Sequence, residues 1–190
     1  MLVSDRVAHG VTTRRDAKPE GIHLLKQVHG TKIVVVREGE RPPEGVEADG
    51  WLSDARNVTF GVYTADCIPL FMAGGGFVGV FHAGWRGVAA GLPRKALEAF
   101  RALGAEPERA WAGPFIRQCC FKVGPDVAER FRHVKDGKVD LAAETRDQLS
   151  GVKDIALEGP CTCCNPNDWF SYRRDKTGTG RIYGWIRKEA

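Results

Sequence analysis

Ala65-Asp66-Cys67-Ile68-Pro69-Leu70-Phe71-Met72-Ala73-Gly74-Gly75-Gly76-Phe77-Val78-Gly79-Val80-Phe81-His82 holds the strongest strand signal in the chain. Two apolar, β-rich runs flank three glycines, the signature of a hairpin. A two-residue turn at Gly74-Gly75 sets Met72 against Phe77 and, further down the ladder, Cys67 against His82. Directly opposed residues carry Cβ atoms about 5 Å apart on one face. A thiolate and an imidazole so placed reach one metal ion, at about 2.3 and 2.0 Å, or hydrogen-bond to each other as nucleophile and base. A three-residue loop centred on Gly75 pairs Cys67 with Ala83 instead. Pro69 lacks a ladder donor, which favours an edge or a bulge there.

Outward from this hairpin, His23 to His29 and Lys32 to Arg37 flank Gly30-Thr31 and suit a second hairpin. Asn57 to Ala65 is a further strand candidate, and Arg41-Pro42-Pro43-Glu44-Gly45 is the strongest loop signal. The second half is more helical. Leu92, Ala96, Leu97, Phe100 and Leu103 form a stripe ending at Gly104, with Pro93 tolerated only near its start. Val127, Phe131 and Val134 share the face of a short helix after Pro125-Asp126. Asp140 is an N-cap for Leu141 to Leu149, with Gly151 just beyond. Arg181 to Arg187 ends the chain as a strand or a helix. Strands first and helices later argue for an α+β domain rather than a doubly wound sheet.

Composition narrows the class. A chain of 190 residues, 43% hydrophobic and 27% charged, suits one domain, residues 1–190, that buries a core without disulfides. A net charge of +4, with scattered Lys and Arg, does not suggest a nucleic-acid binder. Met1 to Arg6 carries charges and no apolar run, so it does not read as a signal peptide. No stretch is apolar enough to span a bilayer. These readings make the expected compartment the cytoplasm and the expected partners neither membrane nor nucleic acid. Six cysteines there read as thiols or metal ligands.

A lone cysteine in a strand is ordinarily a small buried hydrophobe. The surroundings of Cys67 and His82 argue for chemistry. Asp66 precedes the cysteine, and His82 opens His82-Ala83-Gly84-Trp85-Arg86-Gly87, where glycines clear space beside an Arg and an aromatic ring. For a third metal ligand the candidates are His9, His23, His29 and His133. His29 stands beside a glycine turn, where a side chain can enter a pocket. Two His and one Cys leave the fourth zinc position open, as catalysis needs; copper accepts the same ligand types. Thiols as close as those of Cys161-Thr162-Cys163-Cys164 suit a metal, but no second Cys/His pair follows at finger-like spacing, which favours a structural or buried role over a metal site. Phe170-Ser171-Tyr172-Arg173-Arg174 with Thr177-Gly178-Thr179-Gly180-Arg181 reads as a solvated loop or, through its hydroxyls and guanidiniums, as a phosphate grip. It lacks the P-loop Lys and spacing.

Five segments together carry a resemblance: Lys26-Gln27-Val28-His29-Gly30, Thr64-Ala65-Asp66-Cys67-Ile68-Pro69, His82-Ala83-Gly84-Trp85-Arg86-Gly87, Gly113-Pro114-Phe115-Ile116, and Cys161-Thr162 with Phe170-Ser171-Tyr172-Arg173-Arg174. In order over nearly the whole chain from Lys26, they resemble the polyphenol-oxidase or laccase-domain family, also described as purine nucleoside phosphorylases. The resemblance implies zinc at His29, Cys67 and His82. It implies a fold of mixed sheets flanked by helices, related to cysteine hydrolases and toxins. The activity implied is phosphorolysis of adenosine, inosine and methylthioadenosine, with adenosine deamination. Zinc chemistry suits attack on adenine C6, and Arg86 or Arg173 suits the phosphate. The chain departs from the family's pattern in a shortened segment before Lys26, in Lys122 where a Glu is usual, and in Pro93. The rival classes are a Cys67–His82 hydrolase or peptidoglycan-precursor editing enzyme, a copper-dependent polyphenol oxidase, and a non-catalytic metal-binding module.

Overall fold

The computed structural model describes residues 6–190. The expectation that no signal peptide occupies the first residues falls, apart from Arg6, outside that range. In chain order the elements are β1 (Val7–Val11), β2 (His23–Leu24), β3 (Ile33–Val36), β4 (Gly50–Ser53), β5 (Phe60–Thr64), β6 (Ile68–Gly74), β7 (Phe77–Ala83), α1 (Trp85–Ala89), α2 (Leu92–Ala102), β8 (Arg109–Ala112), α3 (Pro125–Ala128), β9 (Val134–Lys135), β10 (Lys138–Val139), α4 (Leu141–Asp147), β11 (Asp154–Ala156), α5 (Tyr172–Asp175) and β12 (Ile182–Lys188). The fold is α+β, with mixed, largely antiparallel sheets.

The β6–β7 hairpin is the centre of a six-stranded sheet ordered β11-β8-β6-β7-β4-β3. Its register differs from the expected one by two residues. Gly74 pairs with Phe77, so the turn is Gly75-Gly76, and His82 faces Pro69 rather than Cys67. Both turn residues have positive φ, 58° and 83°, the conformation of the primed turns that match strand twist. Gly74-Gly75 and Gly75-Gly76 are equally permissive dipeptides, so local chemistry does not choose between them. A slip of two preserves faces, so Cys67 and His82 still project to one side of the sheet. Nor is Pro69 at an edge or bulge. Its carbonyl accepts from Gly113 N at 3.2 Å, so its missing N–H also points toward the β8 side, beyond that strand's last residue, and no bond to β7 is lost.

The second expected hairpin does not form. β2 pairs in parallel with β5, in a four-stranded sheet ordered β1-β12-β5-β2, whereas β3 pairs in parallel with β4 in the larger sheet. The segment between them crosses from one sheet to the other, its amides taken by a side chain rather than by a ladder. The C-terminal segment resolves as strand: β12 alternates buried and half-buried residues between β1 and β5.

The layers run four-stranded sheet, six-stranded sheet, helices. Trp51, Phe60, Val62, Phe71, Val80 and Ile186 pack between the sheets. Leu52, Leu70, Met72 and Phe81 pack with Leu92, Leu97 and Phe100 on the helical side. With both faces covered, β4 and β7 are buried throughout, which is why they read as continuous apolar runs. Helix α2 buries the expected stripe, with Pro93 in its first turn, so the proline does not break it. Asp140 caps α4, accepting from Ala142 N and Ala143 N. Helix α3 stops at Ala128 and Val134 lies on a strand instead. There Asp136 (φ 52°) and Gly137 (φ 69°) form the tight turn of the β9–β10 hairpin, and a hairpin cannot continue a helical face. Among the described residues no helix is long and apolar enough to cross a membrane.

Candidate metal centre and cleft

The sheet ends at its most reactive residues. Asp66 interrupts the chain between β5 and β6 with φ 96°, a conformation an Asp tolerates better than most residues. Its carboxylate is held on both oxygens, by Thr162 Oγ1 and by Arg173 N, each at 2.6 Å. Its carbonyl accepts from Ile116 N at 2.9 Å. This turn delivers Cys67 just before β6, on the face that carries His82.

His82 is nearly inaccessible, 2% exposed, and beside it, one place beyond the Gly50–Phe81 end of the β4–β7 ladder, stands Asp49, fully buried. His82 N donates to Asp49 O at 2.7 Å, and His82 Nδ1 lies 2.8 Å from Asp49 Oδ1. The same carboxylate accepts from the backbone of Val28 (3.3 Å), His29 (2.9 Å) and Gly30 (2.7 Å). One buried acid therefore orients one imidazole and pins the loop carrying the other. His29 sits in that loop with φ 60°, and its ring meets His82 edge-on with centroids 4.8 Å apart. Gln27 fastens the loop's other side by a two-way exchange with Tyr63: its amide donates to Tyr63 O and accepts from Tyr63 N, both at 2.8 Å.

The result is a cluster in which one ligand atom each from His29, Cys67 and His82 lies within 4.8 Å of the other two. The other three histidines are elsewhere: His9 against Trp111, His23 against Phe60, His133 against Asp147. Room is made by Gly84, where a Cβ would lie 2.9 Å from Cys67 Sγ and 3.2 Å from His29 Cδ2. Burial pushes the Cys67 thiol up, but the charge of His82 and hydrogen bonds from His29 and His82 outweigh it and bring it down to about 6. For His82, burial is outweighed by the Cys67 thiolate and by Asp49, and the imidazole rises to about 9. Two imidazoles and a stabilised thiolate in a space kept clear of side chains fit a soft, borderline metal ion. With an ion present, the Asp49 contact leaves His82 Nε2 free as the ligand atom.

The cluster opens into a cleft of about 560 Å³, large enough for a small organic ligand. Aromatic rings of Tyr63, Trp85, Phe121 and Tyr172 line it. So do Arg86 and Arg173, the two arginines singled out from sequence, together with Lys176 and Arg181. Among the described residues none of these four cations has a carboxylate partner within 4.0 Å. Arg86 lies over Trp85, Arg173 donates to Lys122 O, and Arg181 donates to Thr179 O and Gly180 O. Arg174 is turned away and bonds to the carbonyls of Thr162, Cys163 and Trp169. Thr64 Oγ1, buried in the cleft wall, has no partner among the described residues.

Sequence reading missed Asp49, Thr64 and Lys176. No local pattern marks Asp49: it stands ahead of the apolar run Gly50-Trp51-Leu52, and the sheet around it supplies its burial.

A family model described as multi-copper polyphenol oxidoreductase laccase matches residues 5–189. A purine nucleoside phosphorylase of Aquifex aeolicus is 37% identical over 174 residues, 88% of this chain and 83% of that protein. The Escherichia coli purine nucleoside phosphorylase YfiH is 37% identical over 179 residues, 85% of this chain and 72% of that one. Among solved structures, YlmD from Geobacillus stearothermophilus superposes with a TM-score of 0.86 at 25% identity, covering 97% of this chain and 92% of that one.

Proposed function

We infer the function from one premise: the chain belongs to the multi-copper polyphenol oxidoreductase laccase family, several of whose members are named purine nucleoside phosphorylases. We propose that this protein is a zinc-dependent purine nucleoside phosphorylase acting on adenosine, inosine and methylthioadenosine in the cytoplasm, with adenosine deamination as a side activity. The observation that carries this reading is the set of four cations without carboxylate partners, arranged around an aromatic cleft that ends on the His29–Cys67–His82 cluster. A purine presents a flat π-face and phosphate a compact double charge, and the cleft offers a surface for each.

In this reading His29, Cys67 and His82 hold one zinc ion. Three protein donors are one fewer than a closed structural site uses, the count found where substrate or water takes the fourth place. When bound, the ion supplies Lewis-acid chemistry beside the substrate. The rest belongs to the chain. Arg86 and Arg173 grip phosphate and hold it toward C1′ of the ribose, while Lys176 and Arg181 neutralise its remaining charge. The aromatic walls orient the purine, and Thr64 Oγ1 meets a polar atom of the nucleoside. The C1′–N bond breaks as the C1′–O bond to phosphate forms, and the leaving base takes the proton that hydrogen phosphate gives up, yielding free base with ribose 1-phosphate or, from methylthioadenosine, methylthioribose 1-phosphate.

Multicopper oxidation finds little support. It needs several histidine-rich centres, whereas two of the chain's five histidines stand at this cluster. A second reading has a specific observation behind it. Cys67, His82 and Asp49 line up as nucleophile, base and orienting acid, which favours a Cys–His hydrolase, including the precursor-editing kind. Incubation with adenosine, inosine or methylthioadenosine separates the two. Release of base only in the presence of phosphate supports the phosphorylase, and release without phosphate supports the hydrolase. No release from any nucleoside overturns the phosphorylase.

A further inference from the structure

A second cluster lies apart from the first. The loop after β8 and the loop before α5 are stitched together where Phe115 N donates to Pro160 O (3.2 Å) and Thr162 N to Phe115 O (3.0 Å). Two cysteines from each loop meet there. One sulfur each from Cys119, Cys120, Cys161 and Cys164 lies within 4.8 Å of the other three. The separations are 3.7 Å for Cys119–Cys120, 3.6 Å for Cys119–Cys164 and 3.3 Å for Cys120–Cys164. A tetrahedral ion with metal–sulfur bonds of about 2.3 Å holds its sulfurs about 3.8 Å apart. A disulfide would need about 2.05 Å, and all six cysteines are free thiols.

The local chemistry agrees. Cys161-x-x-Cys164 has the spacing of a metal knuckle. Its partner pair, Cys119-Cys120, lies upstream, so a search for a pair following Cys164 does not meet it. Cys161 Sγ accepts from Arg117 N at 3.4 Å, a bond that favours a thiolate. Burial and hydrogen bonds from neighbouring thiols push Cys119 and Cys120 upward, and burial of Cys161 is outweighed by N–H donation from Arg117 and Cys164. Four thiols this close resist joint ionisation unless a cation sits among them. Cys163, half-buried, packs instead against the helical core.

We propose that Cys119, Cys120, Cys161 and Cys164 form a second metal site, a closed tetrathiolate that binds structural zinc. Binding forms four zinc–sulfur bonds and releases the thiol protons to solvent. The ion fastens together two walls of the cleft: Ile116 and Phe121 line it from one loop, and Thr162 in the other holds Asp66.

The full-length double variant His29→Ala/Cys67→Ser lacks the first cluster and isolates the second. Purified without added metal, it should retain about one zinc per chain, with X-ray absorption showing only sulfur neighbours at about 2.3 Å. Loss of all metal overturns the proposal, as do nitrogen or oxygen neighbours, or a Cys120–Cys164 disulfide found after alkylation in denaturant. Cys161→Ser/Cys164→Ser should lower the zinc content of the otherwise unchanged chain by about one ion, and unchanged zinc overturns the proposal. Should that variant not fold, the first variant still decides. Because the first cluster is absent from it, failure of the phosphorylase reading leaves this result intact.

Discussion

The two clusters differ in nearly every respect that governs metal chemistry. His29, Cys67 and His82 come from strand ends and the loop pinned by Asp49, mix nitrogen with sulfur, and face a cleft. Cys119, Cys120, Cys161 and Cys164 come from two loops, are all sulfur, and line no part of that cleft. The first has three donors and a buried acid behind one of them. The second has four donors, with backbone N–H groups around Cys161. Three donors on a rigid frame leave room for substrate, whereas four thiolates complete a coordination shell and can only hold structure.

Substitutions around the first cluster sharpen that contrast, because they should leave the second untouched. The largest effect is expected from Asp49→Asn. The amide cannot accept on both sides, so it loosens His82 or the Val28–Gly30 amides, and it removes the charge facing the imidazole. Zinc affinity at the first cluster should fall about 10–100-fold. Competition titration with a chelator should show one weakened zinc and one unchanged, and equal weakening of both would break the comparison. Gly84→Ala should follow. Its Cβ would stand 2.9 Å from Cys67 Sγ, and an overpacking cost of about 1.4 kcal/mol, near the low end of the usual range, corresponds to a loss of about tenfold in metal affinity. Activity should fall while far-UV circular dichroism stays unchanged.

The smallest effect lies outside both clusters. His133 Nε2 is 2.9 Å from Asp147 Oδ2. The hydrogen bond that His133 donates to the Asp147 carboxylate raises His133, and the same bond lowers Asp147. The pair stabilises the fold where both groups are charged. That holds above the ordinary Asp pKa of about 4 and below the ordinary His pKa of about 6.5. Its contribution is lost as pH rises through the raised His133 value or falls through the lowered Asp147 value. Thermal melts of His133→Gln against wild type should differ slightly at about pH 5, inside that window, and coincide at about pH 9, above it. A gap that persists at the higher pH would assign the effect to packing.

Much of the first cluster was legible in the sequence. His29 and His82 stand in short segments with glycines and Cys67 follows Asp66 at the head of an apolar run, and a register error of two left Cys67 and His82 on one face. The apolar stripe of α2 and the Asp140 cap were equally plain, because helix periodicity and capping are local. The expected hairpin around Gly30-Thr31 failed because nothing local shows that β2 and β3 belong to different sheets. Asp49 went unseen for the same reason, since an acid becomes an orienting group only when a strand places it beside a histidine.

Local sequence therefore carried where reactive residue types stand and where the backbone turns: Cys67 after Asp66, His82 two residues before Gly84, glycines at the β6–β7 turn, cysteines in adjacent or near-adjacent pairs. Which of these residues meet depends on sheet order and packing. Residues 45 positions apart, such as Cys119 and Cys164, are brought together by sheet order and loop stitching. Periodicity and spacing act over a few residues, whereas contacts across strands depend on register and layer packing, which the whole core sets at once.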